Sequence, residues 1–224
     1  MQSQNSLNLS NGIFFKLKSS FKKLYKNSNF YEKRISKTFN NKFEYKPSPH
    51  LLSSIIRYQK KKYKIEDFAT ETIWKNNISS KDFKKLNNFF WFFSLDLKSS
   101  KETTQSIILN WINKNEKFDE NIWEFNITAK RIIAWLSNHQ LTYEDSNEEY
   151  RLFFNHMLQK QTNHLLNEIK NLSEIEEKLI GCAAIILTGL AYKDEKNYLD
   201  SGLNILKNII KQSLDKQGFP RSRS

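Results

Sequence analysis

The sequence predicts an all-α protein: antiparallel helical hairpins preceded by a basic helical arm. Three observations predict it. Apolar residues recur at three- and four-residue spacing almost without a break from Lys81 to Leu214, as helices with one buried face require. Glycine and proline are scarce, at 5 and 3 in 224 residues, which argues against a β-sandwich or a nucleotide-binding sheet with many tight turns. The connections between helical stretches are short, so neighbours in sequence are expected to pack in opposite directions.

Residues 1–12 are rich in Ser, Asn and Gln and read as a disordered tail. Residues 13–64 form the arm. Within 13–35, Phe14, Leu17, Phe21, Leu24 and Tyr25 fall at helical spacing with lysines between them, a basic amphipathic helix. Such a face is expected on the chain's own core, with an anionic membrane surface as the alternative. Lys46-Pro47-Ser48-Pro49 is a break, Leu51 to Tyr58 a short helical stretch, and Lys60-Lys61-Lys62 a solvated charge run.

The body spans residues 65–224. Phe68 to Asn77 is ambiguous between short strands and loop. Phe83, Leu86, Phe89, Phe90 and Phe93 form one apolar face. Glu102 to Lys114 presents Ile107, Ile108, Trp111 and Ile112. Asn126 to Asn138 is the central helix. Glu148 to Lys170 carries Leu152, Phe153, Met157, His164, Leu165 and Ile169. Ser173 to Tyr192 opens on an N-cap serine with acids in its first turn. Its Gly181, Cys182, Ala183, Ala184, Gly189 and Ala191 allow close approach of neighbours, which suits the inner ring of a helical toroid or the middle of a solenoid. Asn197 to Leu214 closes the series with Tyr198, Leu199, Leu203, Leu206, Ile209 and Ile210.

The net charge of +12 is unevenly placed. Residues 1–64 hold 15 Lys and Arg against 2 acids, so the body is close to neutral and any affinity for nucleic acid rests on the arm. Cys182 is the sole cysteine, which excludes an intramolecular disulfide and a cysteine-based zinc site; its apolar surroundings mark it as a small buried hydrophobe. Four histidines without close pairing signal no metal site, and no glycine-rich phosphate loop is present, so no cofactor is expected. No stretch is long enough to span a bilayer and no secretory signal is clear, which makes the cytoplasm the default location.

The candidate site lies in the central stretch. Trp123 opens it, and Ile127, Arg131, Ile132 and Trp135 share one helical stripe. A guanidinium on an apolar stripe between two tryptophans needs a carboxylate, such as Glu124, or an anionic ligand. Trp91, Trp111, Trp123 and Trp135 are expected in the core before they are expected as sugar platforms. His164 is expected to be a satisfied helix histidine, His139 a cation at a helix C-terminus, and His156 with Lys160 a surface pair.

Several stretches together resemble one family. Phe90-Trp91-Phe92-Phe93-Ser94-Leu95-Asp96, Ile108-Leu109-Asn110-Trp111-Ile112, Trp123-Glu124 with Ala129-Lys130-Arg131-Ile132-Ile133-Ala134-Trp135-Leu136, Leu187-Thr188-Gly189-Leu190, and Gln217-Gly218-Phe219-Pro220-Arg221-Ser222-Arg223-Ser224 occur in the order and spacing of motifs in bacterial heparinase II/III-like proteins. The resemblance covers about residues 65–224. It implies a partial (α/α) toroid that precedes a β-sandwich in full-length members. It also implies β-elimination on uronic-acid polymers, in which a Tyr or His removes the proton next to a neutralised carboxylate. By the same resemblance Trp123, Arg131, Trp135, Arg221 and Arg223 would meet an anionic polysaccharide, and a periplasmic location would be possible. The catalytic Tyr and His of active members fall after Ser224, and the position of their carboxylate-neutralising Asn falls near Glu176, which has the wrong charge. The chain is therefore expected to be inactive as it stands. The alternative is a non-enzymatic helical module whose arm binds nucleic acid or an anionic membrane.

Overall fold

The computed structural model describes residues 17–37, 80–94, 100–192 and 196–213, together with Asp215. Every regular element among the described residues is a helix, so the fold is all-α there. The expected tail (1–12), the proline break, the helix at 51–58, the lysine run at 60–62, the ambiguous stretch at 68–77, Arg221 and Arg223 lie outside them. None of the described helices is long and apolar enough to cross a membrane.

In chain order the elements are α1 (residues 17–26), α2 (Asn29–Ile35), α3 (Ser80–Asn87), a 3₁₀ turn (Phe90–Ser94), α4 (Lys101–Lys114), α5 (Phe125–Ser137), α6 (His139–Thr142), α7 (Glu148–Glu168), a second 3₁₀ turn (Ile169–Asn171), α8 (Ile175–Ala191) and α9 (Lys196–Ser213). Small polar side chains set several starts. Ser100 and Asn147 accept hydrogen bonds from the amides of Thr103 (3.2 Å) and Tyr150 (2.8 Å), capping α4 and α7. The expected cap at Ser173 is corrected. Its hydroxyl bonds Glu174 at 3.3 Å, and α8 begins at Ile175 without a side-chain cap, leaving Glu176 and Glu177 to meet the helix dipole.

The single basic helix expected over 13–35 is two helices where it is described. Ser28 breaks it: its hydroxyl accepts the Tyr31 amide at 3.2 Å and donates to the Tyr25 carbonyl at 2.6 Å, ending α1 and starting α2. The single apolar face expected over 83–93 also breaks. α3 stops at Asn87, and Phe89 takes φ 56°, a left-handed conformation costly for a bulky residue. Packing holds it there, with its buried ring against Trp91, Phe92, Trp111 and Trp135 at 5.0–6.0 Å.

α5 is the hub. All of it except Asn126 and Lys130 is buried, and it packs against α8, α7, α6, α3 and the first 3₁₀ turn. α8 and α9 form a tight hairpin, as the short connection and the small residues predicted. A Cβ at Gly189 would lie 2.4 Å from the backbone nitrogen of Leu199, so only glycine permits this approach. At Gly181 a Cβ would meet the Phe125 ring at 2.2 Å, where α8 crosses α5. Cys182 is buried as expected, its thiol donating to the Gly202 carbonyl at 3.0 Å. The main partner of α5 is α8, which is not its neighbour in sequence, so the hairpin rule holds for only part of the chain.

Candidate functional site

Arg131 stands on the buried side of α5 with no solvent exposure. Its Nε donates to Gln161 Oε1 at 2.7 Å, Nη1 to the carbonyls of Asn87 (2.7 Å) and Ile122 (3.3 Å), and Nη2 to Ile122 O (3.3 Å) and Thr128 Oγ1 (3.2 Å). A guanidinium has five N–H groups, and all five are used. Its carbon lies 4.1 Å from the centre of the Trp111 ring, which itself donates to Asn87 Oδ1 at 2.9 Å and packs edge-on to Trp135 at 5.5 Å. Burial lowers the Arg131 pKa well below its ordinary value. This one side chain ties α5 to α7, to the end of α3 and to the segment before α5.

Two expectations are corrected here. Arg131 finds neither a carboxylate nor an open face toward a ligand; four neutral oxygens surround it instead. Glu124, the expected acid, pairs with Lys84 Nζ at 2.6 Å on the surface. Trp123 and Trp135 are likewise enclosed, at 1% and 0% exposure, and serve as core. Trp91 and Trp111 are buried as expected. Of the five sequence-derived binding residues, the structure brings Arg131 and Trp135 into one cluster and puts Trp123 in the next.

That second cluster forms where α2 meets α7. His164 on α7 is bound at both ring nitrogens, Nε2 to the Trp123 carbonyl at 2.8 Å and Nδ1 to the Tyr31 hydroxyl at 2.7 Å. A carbonyl can only accept, so Nε2 carries the proton and Nδ1 accepts from Tyr31. Burial first, and the charge of Lys26 next, bring the His164 pKa down to about 4, and burial raises the Tyr31 hydroxyl above its ordinary value. His164 is thus a satisfied neutral histidine, as expected, with no nitrogen left for catalysis.

Lys160 departs from the surface pair expected of it. It is 1% exposed, and its ammonium contacts Glu32 of α2 and the Glu116 carbonyl, 5.6 Å from the centre of the Trp123 ring. His156 beside it is half-buried, and burial and then Lys160 lower its pKa. His139 is buried and begins α6, with Nε2 3.4 Å from Glu144 Oε1; the cap at the end of α5 is Asn138, which donates to the Ala134 carbonyl at 2.8 Å. Sequence reasoning missed Lys160, Gln161, Tyr31 and Glu32. A signal existed for the first two. Met157, Lys160, Gln161, His164 and Glu168 share one stripe of α7, so polar residues occupied core positions there.

The arm also binds through its backbone. Asn163 donates to the carbonyls of Ile35 (2.9 Å) and Lys37 (2.7 Å) and accepts from the Tyr198 hydroxyl at 2.9 Å. Tyr31 and Ile35 belong to the main core, so residues 29–35 are part of the domain and not a detachable appendage. Among the described residues, no three His, Cys, Asp or Glu side chains come together as a metal site.

Comparison with known proteins adds no neighbour: no family model, no curated protein and no solved structure matches the chain.

Proposed function

We propose that this chain is the toroid-forming helical part of a heparinase II/III-like polysaccharide lyase, helping to hold an anionic, uronic-acid-containing polysaccharide. One observation supports the reading above the others. Residues from three of the five stretches that carry the resemblance interlock. Trp91 and Phe92 from the first stretch, Trp111 from the second, and Arg131 and Trp135 from the third meet around Phe89 and Asn87. A likeness of composition alone gives no reason for such convergence. Arg131, Trp135 and Trp123 then act as scaffold under the binding surface. Arg221 and Arg223 remain the basic residues proposed to meet the sugar acids.

The test is binding of the full chain to heparin, alginate, a neutral glucan and duplex DNA. The two acidic polysaccharides are expected to bind and the glucan is not. Arg221→Gln with Arg223→Gln is expected to weaken polysaccharide binding several-fold. Failure on every polysaccharide, with the helical circular dichroism intact, removes the reading. DNA binding as tight as that of both acidic polymers reduces it to the charge of the arm.

A further inference from the structure

α1 sits on the body the wrong way round for an amphipathic helix. Lys22 and Lys26 lie on the face toward the body, where both ammoniums reach Glu168 Oε2, at 2.9 and 2.7 Å. Lys23 reaches Glu120 at 3.0 Å. Leu17, Phe21 and Leu24 share the opposite stripe and are 53%, 70% and 70% exposed. Phe30 of α2 adds a fourth apolar group at 69% exposure, its ring 6.2 Å from that of Tyr25. The next helix does the ordinary thing and buries Tyr31 and Ile35. An apolar stripe held outward by ion pairs on its back is placed to meet something other than its own core.

We infer that residues 17–36 dock on an anionic lipid surface. Leu17, Phe21, Leu24 and Phe30 enter the boundary between headgroups and acyl chains, and Lys18, Lys33 and Arg34 meet headgroup phosphates. The charge favours this occupant over others. Residues 17–36 hold 6 Lys and Arg against 1 acid, and Lys18, Lys33 and Arg34 are exposed beside the stripe. A second copy would bring the same cations face to face. A nucleic acid would use the cations and leave two phenylalanines and two leucines in water. A negatively charged bilayer offers apolar depth and anionic headgroups at once. The stripe is short, so binding is reversible and needs both contributions. The inference stands apart from the polysaccharide reading, because neither uses the other's residues.

The experiment is flotation of the full chain with vesicles of phosphatidylcholine alone and of phosphatidylcholine mixed with phosphatidylserine. Binding is expected only to the mixed vesicles and should fall with salt. Phe21→Asp with Leu24→Asp should abolish it while leaving the melting temperature and heparin binding unchanged, since both residues are exposed. Lys18→Gln and Lys33→Gln should each weaken it about fivefold. Equal binding to neutral vesicles, no binding to either, or unchanged binding of the Phe21/Leu24 variant overturns the inference. So does a concentration-dependent dimer that the same variant dissolves.

Discussion

Arg131 and Lys160 are both buried cations on helices that touch, and each has a neutral carbonyl and an indole nearby, yet only Lys160 has a counter-charge. Arg131 is dissolved in neutral oxygens and lies over an indole; Lys160 is held by the carboxylate of Glu32 on another helix. The difference follows from the groups themselves. A guanidinium spreads its charge over a plane and has five donors, so carbonyls and amides can stand in for water. An ammonium concentrates the same charge in one place and calls for a counter-charge. The aromatic hub is therefore fastened by hydrogen-bond geometry, and the seam between arm and body by ionic pairing. Substitution, pH and salt should separate the two.

The largest effect is expected at the hub. Arg131→Met leaves Gln161 and the carbonyls of Asn87 and Ile122 without donors in a closed space, and should cost about 3–5 kcal/mol in urea unfolding. Arg131→Lys should recover little of it, because three donors cannot replace five in a planar fork. A lysine variant as stable as the parent would show that charge matters at this position and geometry does not.

At the seam, Glu32→Gln should cost about 3 kcal/mol and Lys160→Met less. The glutamine strands an ammonium that is 2% exposed, whereas the methionine frees a carboxylate that is 31% exposed and can rehydrate. The reverse order in paired denaturation curves would mean that Lys160 is not the buried member of the pair.

pH acts on the seam through His164. An unfolded histidine takes up a proton near pH 6.5, but folded His164 refuses it until about pH 4. Its stabilising contribution is therefore complete above about pH 6.5 and declines as pH falls toward 4, by about 3 kcal/mol in all. His164→Asn should be less stable at neutral pH and should flatten that slope; a parent curve with no slope over this range would refute the assignment.

The smallest effect is expected where α1 meets the body. Burial alone would raise the Glu168 carboxyl, but the ammoniums of Lys26 and Lys22 hold it below its ordinary value. Its contribution is present at neutral pH and is lost only as pH falls through that lowered value. The lysines remain partly exposed, so Glu168→Gln should cost under about 1 kcal/mol globally. Amide exchange over 17–26 should speed up and become less salt-dependent, while exchange in α5 stays unchanged. Equal changes in both helices would mean that α1 and the hub open together.

How much of this was legible in the sequence varies from residue to residue. Most helix positions were legible from periodicity, which acts within a few residues; the one cap expected, Ser173, is not used, and Ser28 divides the helix expected over 13–35. The burial of α5 was legible from its nearly continuous apolar run, and the hairpin of α8 and α9 from the glycines of α8. The partners of Arg131 were not: Gln161, Asn87 and Ile122 are 30, 44 and 9 positions away, and nothing in the pattern couples them. The orientation of α1 runs against the expectation: its apolar face was expected on the core, but Lys22 and Lys26 meet the body through Glu168 while Leu17, Phe21 and Leu24 face outward.

By itself, then, the chain determined that the described residues of the body are helical, that a basic amphipathic helix precedes them, and that a central helix bears Arg131 among tryptophans. Only the tertiary structure decided that Arg131 is a fastening, that Lys160 lies inside, and that the first helix turns Lys22 and Lys26 toward the body. The physical reason is range. Periodicity and capping are settled within about a turn of helix. The fate of a charge depends on which distant oxygens surround it once water is excluded.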